Sequence, residues 1–580
     1  MASRSKFRRA IVAGAKIFIF SLLAILVLMT AGIIFSIYRP AMAPSPYEAT
    51  SPDYWPINNW ETSLPQEQGV DPSKLAEMIE FYQNKNTENE QNLIESITIV
   101  RNGYIVADIY LNPLFPKNTK HVIHSCTKSI ISALVGIAID KGYIANVGTP
   151  VLDILGREVS NNDDGRIEDL TVRDLLTMQT GLHSQDSYLY QWRGLFEMQH
   201  TDDWVQYALN LPFETAPGTR FDYSNMATFL LSAIIAKATG MSTMSFAQEQ
   251  LFDPIGIEDV KWEESPKGIH IGWARMWLKP RDMAKIGLLY LQKGKWDDVQ
   301  LIPAAWIEES LIAHSSPKKY RYVYNDENKI DYMTSGGLWT FTNLARPFAD
   351  GYGYQWWLDK SGMYSAIGVG GQFIMVVPKA NLVVVFTSKL SSATSFLPVK
   401  MLKKFILPAI VSDEPIVVDA VDQARLDSLS TIPSGRSAPK PVPQLPDIAF
   451  EIAGKPYALE ANPWRYNDCQ LLFHRDQDYA EISYTAKEND RISYRIGLDD
   501  VYRFTESNQD NYAAKGSWIS TNTFVIEYEV IGYSSKGKWT LSFEADDVTI
   551  EEVGVTGKYS YHGKRLLNKK KLSDRFTTNR

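Results

Sequence analysis

Only two of the 580 residues are cysteine, Cys126 and Cys469. Two thiols cannot build a disulfide framework, and they exclude a cysteine-rich zinc module. They leave the compartment open, because a chain of this size does not depend on disulfides to fold. Long basic runs are missing as well. Lys plus Arg number 59 against 67 Asp plus Glu, a net charge of −8, and such an acidic chain is a poor nucleic-acid binder. There is no internal repeat and no low-complexity tract. No H-E-x-x-H is present, and His121 and His124, three apart, are too few for a metal site. The absence of a G-x-S-x-G elbow removes the main support for a common α/β hydrolase, and no P-loop or dinucleotide fingerprint is found. With 45% hydrophobic and 22% charged residues, the chain is neither fibrous nor mostly disordered.

What is present begins with one long apolar run. Ile17 to Tyr38 carries no charge and is long enough to cross a bilayer. Arg4, Lys6, Arg8, Arg9 and Lys16 precede it and only Arg39 follows closely, so the positive-inside rule places the remainder of the chain outside the cytoplasm. A cleaved signal peptide ending at Ala41-Met42-Ala43 is the rival reading; the run exceeds the usual length of a signal core, which favours an uncleaved anchor on the inner (plasma) membrane. The chain divides into a basic tail (1–16), a transmembrane anchor (17–38), a linker (39–65), a mixed α/β domain (66–410), a Pro-rich linker (411–446), a β-rich domain (447–565) and a second basic tail (566–580). Within the α/β domain, Thr127 to Ala138 has helical periodicity, Thr171 and Asp174 look like a capped helix start with Gly181 at its end, and Pro378 to Asn381 reads as a turn joining two strands. Short strands separated by turns predict a small sandwich or barrel after residue 447, lipocalin-like being one shape it could take. That module could bind envelope material, dimerise or pack on the α/β domain.

Three clusters carry chemistry. Ser125-Cys126-Thr127-Lys128 is an S-x-x-K that opens a long apolar helix, which the copies at Ser315/Lys318, Ser437/Lys440 and Ser535/Lys538 do not. Residues i and i+3 share a helix face, so the Lys128 amine lies beside the Ser125 hydroxyl, and a buried lysine of lowered pKa can take that proton. The bland alternative is a helix cap with a solvated lysine. Tyr223-Ser224-Asn225 follows Pro217-Gly218 on a loop between helices. A tyrosinate near a lysine ammonium is a feasible base, and the Asn225 amide can bind a substrate carbonyl or hold the lysine; a loop tyrosine packed on the core is the plain reading. Ala366-Ile367-Gly368-Val369-Gly370-Gly371-Gln372 enters a β-hairpin, where glycines let a ligand approach the backbone and an N–H can stabilise an oxyanion. Cys126 is expected in the core. Tyr188, Tyr190, Trp192, Trp273 and Trp277 are candidate pocket aromatics, and His183 and Asp186 lie on a loop that could cover the site.

In that order, the serine, tyrosine and glycine-strand motifs resemble the serine β-lactamase/penicillin-binding-protein superfamily over roughly residues 66–410. Further matching segments are Thr171–Leu176 through Thr180-Gly181-Leu182, Pro280–Ala284 through Gly287-Leu288-Leu289, and Gly351–Trp357. The Gly-Gly-Gln ending is similar to that of the class C-like esterase and 6-aminohexanoate-dimer hydrolase branch. The resemblance implies an α+β domain, an antiparallel sheet flanked by helices plus an all-helical subdomain. It also implies that Ser125 is acylated, that Lys128 and Tyr223 share acid–base work, and that Asn225 positions substrate. The Ser125 and Val369 N–H groups would stabilise the oxyanion, between Gly368 and Gly370. Penicillin-recognising members carry Lys or His, then Thr or Ser, before the glycine; here Ala366-Ile367 stand there, and Lys360-Ser361-Gly362 reads as a turn. The expectation is a membrane-anchored serine hydrolase of small esters or amides, without metal or cofactor. The alternatives are a β-lactamase or D-alanyl-D-alanine carboxypeptidase, and an inactive envelope-binding protein.

Overall fold

The computed structural model describes residues 50–566, apart from 87–92, 116, 187–191, 318–349, 391–393, 431–437, 463–465, 486–490, 506–510, 534 and 555–556. The expected anchor at 17–38 lies outside the described residues, as do Tyr188 and Tyr190. Among the described residues no single helix is long and apolar enough to cross a membrane.

The strand Leu382–Lys389 shows how the first domain is built. Leu382, Val384 and Phe386 point into one apolar core, and Val383 and Val385 into another. A strand covered on both faces carries apolar residues at every position, not at alternate ones. Around it runs a seven-stranded sheet in the order Tyr104–Tyr110, Leu93–Arg101, Leu382–Lys389, Gln372–Val377, Tyr364–Gly368, Trp357–Leu358 and Gly351–Tyr352. Every pairing is antiparallel. The turn at Pro378 to Asn381 forms as expected, with Asn381 at φ 45°. On one face lie the helix Pro72–Asn86 and residues 397–409; on the other lies Pro280–Leu291. Beyond that face is a helical layer centred on Thr127–Asp140, whose residues Thr127 to Ala138 are all buried. A helix apolar on every side can only be a central one. Each Leu, Ile or Val it buries contributes roughly 1.5–3 kcal/mol of transfer free energy.

Three local readings need correction. The helix capped by Thr171 and Asp174 ends at Leu176, not at Gly181. Met178 takes the left-handed turn (φ 57°) and lets the Gln179 N–H reach the Asp174 carbonyl, closing the helix five residues early. The stretch read as a linker before residue 66 is laid along the domain, with Trp60 buried and its Nε1 donating to the Arg281 carbonyl at 3.1 Å. In the later linker, Ala420–Ser430 is a helix that packs on the first domain through buried Leu426 and an Arg425–Glu80 ion pair.

The C-terminal strands form one ten-stranded sheet in the order Arg491–Gly497, Tyr479–Thr485, Asp468–Phe473, Pro456–Leu459, Gly557–Arg565, Asp547–Gly554, Ser535–Glu544, Thr523–Ile531, Asn511–Trp518 and Arg503–Thr505. Gly497 pairs in parallel with Lys515 of Asn511–Trp518, which closes the sheet into a β-barrel. Its interior is strongly aromatic, with Tyr484 in contact with both Tyr494 and Trp539. The barrel packs on the first domain. The Val122 N–H donates to the Gly532 carbonyl at 2.7 Å, and Phe115, Ala513 and Ile531 share a small apolar cluster.

Candidate active site

Ser125 sits in a single 3-10 turn, His124–Cys126, that leads directly into Thr127–Asp140. His124 holds a left-handed backbone (φ 47°), so the chain turns sharply just before the serine. The same helix carries Lys128 one turn on. Its side chain is buried, and its Nζ donates to Ser125 Oγ at 3.2 Å, to Asn225 Oδ1 at 2.7 Å and to the Trp273 carbonyl at 3.1 Å. None of these three acceptors is a carboxylate. Burial therefore dominates and lowers the Lys128 pKa to about 7, against a smaller opposing pull from Asp186. Near neutral pH a large fraction of this amine is uncharged, with a lone pair beside the serine hydroxyl.

Tyr223 and Asn225 come from the start of the helix Asn225–Thr239. Ser224 caps it, its Oγ accepting from the Ala227 N–H. Asp186 locks the same end: it accepts from the Met226 N–H at 2.7 Å and from Ser224 Oγ at 3.3 Å, and its own carbonyl accepts from Asn225 Nδ2 at 2.8 Å. The two ends of the Asn225 amide are thus engaged by Lys128 and Asp186. The amide holds the lysine in place, the second of the two roles its residue type allowed. Burial pushes the Asp186 carboxyl up to about 6.

The Tyr223 hydroxyl is hydrogen-bonded to Ser125, its ring lies 4.9 Å from Lys128 Nζ, and it stacks on Trp357 at 5.9 Å. Burial is the largest influence on the phenol and pushes its pKa well above the ordinary 10, so Tyr223 stays protonated and is not a resting tyrosinate.

The glycine strand closes the other side. A Cβ at Gly368 would stand 2.5 Å from the Ile123 carbonyl oxygen and 3.1 Å from His124 Cβ, so only glycine lets Tyr364–Gly368 end against the chain entering Ser125. Val369 follows at the rim, 51% exposed. The Gly370 carbonyl accepts from the Leu390 N–H, fixing the turn to the neighbouring strand. The Gln372 amide pairs with Ser388 across the sheet at 2.6 and 3.1 Å and donates to the Val369 carbonyl at 3.4 Å. Ala366 is buried in the apolar core, and Lys360-Ser361-Gly362 lies in the turn between Trp357–Leu358 and Tyr364–Gly368.

Of the remaining candidates, Trp273 is core, packed on Trp204 and Phe229, and contributes its carbonyl rather than its ring. Trp192 is partly buried against the same core. Trp277 faces the barrel, stacked on Tyr533. Cys126 is buried with its thiol toward the Gln372 carbonyl. His121 is buried with its Nε2 2.6 Å from a Glu95 carboxylate oxygen. His183 pairs with Glu214, whereas Asp186 holds the start of Asn225–Thr239. Two contributors carried no readable signal, the Trp273 carbonyl and the Trp357 ring. A backbone carbonyl has no sequence signature, and Trp357 stood in a recognised segment without a role. Gln355 was equally silent. Its side chain ties three elements together behind the serine, accepting from Thr228 and donating to the Leu175 and Leu176 carbonyls.

Comparison with known proteins identifies the family. The family model described as Beta-lactamase matches residues 95–400, more than half of the chain. A 6-aminohexanoate-dimer hydrolase of Paenarthrobacter ureafaciens is 24% identical over 319 residues, 52% of this chain and 74% of the relative. The unguisins hydrolase ungD of Aspergillus violaceofuscus is 26% identical over 158 residues, which is 27% of this chain and 28% of that protein. Among solved structures, an octameric penicillin-binding protein homologue from Pyrococcus abyssi is similar at 14% identity, covering 84% of this chain and 99% of that one, with a TM-score of 0.42.

Proposed function

The chain belongs to the Beta-lactamase family and is a serine hydrolase of that type; we propose that it cleaves a carboxylic ester or amide through an acyl-enzyme on Ser125. The observation that carries this reading is the buried Lys128 amine, of lowered pKa, within hydrogen-bond reach of Ser125 Oγ. In the acylation step neutral Lys128 takes the Ser125 proton as Oγ bonds to the substrate carbonyl carbon. The carbonyl electron pair moves onto oxygen, which the Ser125 and Val369 N–H groups stabilise. When the tetrahedral species collapses, the C–O or C–N bond breaks and the Tyr223 phenol gives its proton to the leaving group. The Lys128 ammonium then returns a proton to Tyr223. Deacylation repeats the sequence with water in place of Ser125. Asn225 and the Trp273 carbonyl hold the lysine through both steps.

The missing cation favours esters and uncommon amides over β-lactams, since Ala366 puts a buried methyl where penicillin-recognising relatives bring a charge. Residues 17–38 would anchor the enzyme with its catalytic domain on the periplasmic or extracytoplasmic side. Protease added to intact expressing spheroplasts should digest the hydrolase; full protection would overturn that placement. The acyl-enzyme is tested on the full-length protein in detergent with p-nitrophenyl acetate, followed by intact-mass and peptide mapping. The expected result is a burst and an acetyl adduct on Ser125 that Ser125→Ala lacks. Turnover without an adduct in wild type, or an adduct that persists in the variant, removes Ser125 from the role.

A further inference from the structure

The barrel reaches the nucleophile. The turn between its strands Thr523–Ile531 and Ser535–Glu544 carries Gly532 and Tyr533. Gly532 is in the left-handed region (φ 73°), and a Cβ there would stand 2.1 Å from the Lys120 carbonyl oxygen. Glycine alone lets this hairpin tip seat on the strand His121–Val122, where the Val122 N–H donates to the Gly532 carbonyl. That strand runs straight into His124 and Ser125. Four residues before Tyr533, Glu529 holds Lys389 at 3.1 Å, and the next residue, Leu390, donates to the carbonyl of Gly370. One barrel strand and its tip therefore grip both segments that flank Ser125, the one entering the nucleophile and the one behind the glycine turn.

Tyr533 is fixed by this seat and is not buried by it. Its ring meets the His124 ring edge-on at 5.7 Å and stacks near Trp277 at 6.3 Å, with the Arg275 guanidinium 5.6 Å from its centroid. It stays half-buried while the residues before it in the tip, Ile531 and Gly532, are buried. A side chain that only glued two domains together would lie wholly inside the interface. This one combines a rigid backbone, a remaining open face and a place beside the residue that precedes Ser125.

We propose that the barrel forms one wall of the active-site entrance and that Tyr533 is a specificity-determining residue, limiting the bulk of the apolar substituent a substrate can carry on the His124 side of Ser125. The proposal rests on Ser125 being the acylated residue. The open surface on this side is the Tyr533 ring, backed by the His124 ring and the buried Trp277 ring, with the Arg275 guanidinium beside it; the ring face suits an aliphatic or aromatic group. A buried methylene or ring in such a wall changes selectivity by roughly tenfold or more.

The test uses the full-length enzyme and two ester series. One varies the acyl chain from acetate to octanoate on p-nitrophenol; the other varies the leaving alcohol of acetate esters. For each enzyme the ratio of kcat/KM between the bulkiest and smallest substrate is measured. That ratio does not depend on how much of the preparation is folded, so a merely structural loss would leave it unchanged. Tyr533→Ala should raise it about tenfold in at least one series, and Tyr533→Phe, which keeps the ring, should stay near wild type. Ratios within about twofold of wild type in both series for Tyr533→Ala would overturn the proposal. The Ser125 adduct is checked first on wild type. Its absence would fell the acyl-enzyme reading and this one with it, whereas an adduct with unmoved ratios fells this one alone.

Discussion

Two lysines in this molecule are buried almost equally and end in opposite states. Lys128 has three neutral acceptors, and burial drops its pKa to about 7. Lys389 sits between two carboxylates, Glu95 and Glu529, each at 3.1 Å, and its pKa rises above the ordinary 10.5 although burial alone would lower it. Glu95 shows the reciprocal effect. Burial would raise it, but Lys389 and His121 together outweigh that and hold it at about 2. Desolvation is common to both places, and the neighbours decide the sign. With neutral neighbours a buried lysine is a base, at a cost to stability. With anionic neighbours it is a fastener, here between the barrel and the sheet.

The comparison can be broken from either end. Lys128→Met should cut acylation of Ser125 by about 10³-fold, within the usual range for losing a general base and an orienting contact. It should not lower the melting temperature at pH 6, because it removes a cation that folding buries without a counter-charge. The linkage has a definite sign: between about pH 7 and 10.5 the unfolded chain holds the Lys128 proton more tightly, so this site's burden on stability shrinks as pH rises through that window. Thermal melts of wild type and variant across pH 6–9 would show it. Lys389→Met should do the reverse. It leaves Glu95 and Glu529 facing each other without their cation and should cost about 3–5 kcal/mol, read by denaturant unfolding, while Ser125 in the molecules still folded remains acylable.

Asn225→Asp sharpens the comparison by turning one site into the other. It would set a carboxylate 2.7 Å from Lys128 Nζ, where the amide oxygen now lies. The wild-type profile of kcat/KM should climb with pH through about 7, as Lys128 loses its proton. In the variant that limb should move up by about one pH unit or more; an unmoved limb would detach the profile from Lys128. Glu529→Gln should have the smallest effect. Lys389 keeps Glu95, so the expected loss is about 1–2 kcal/mol. Glu95's own contribution is complete above about pH 4.5 and fades as pH falls toward 2, so acid melts of both proteins should show the same loss over that window.

The contrast also explains what was legible beforehand. Ser125 and Lys128 could be paired because three residues on a helix fix a distance, and the apolar run after them set this S-x-x-K apart from its copies. Tyr223-Ser224-Asn225 and Gly368 were readable for the same reason, as short local patterns with a geometric meaning. The family resemblance on these motifs holds through the match over residues 95–400. The state of Tyr223 was not readable. A nearby cation was weighed, but burial is the largest influence on the phenol, and a ring stacked on it, Trp357, lies more than a hundred positions away. The fastener of Glu95, His121, Lys389 and Glu529 draws on four distant segments, and none of these residues stands out in its own surroundings. The barrel itself could be foreseen as a β module. Its seat on the nucleophile's strand could not, because Gly532 looks like any turn glycine until the Lys120 carbonyl stands beneath it.

That seat also governs how the two halves can be separated. His121–Val122 is the outermost strand of a small sheet, paired on its inner side with Met276–Leu278. The barrel caps its free margin at the Val122 amide. A hydrolase cut away before residue 447 would leave that margin open to other copies of itself, as exposed sheet edges invite. It would also strand Glu95 and Lys389 beside vacated apolar surface. The two halves are thus one unit of stability: removing the barrel uncovers a sheet edge beside the nucleophile and invites self-association.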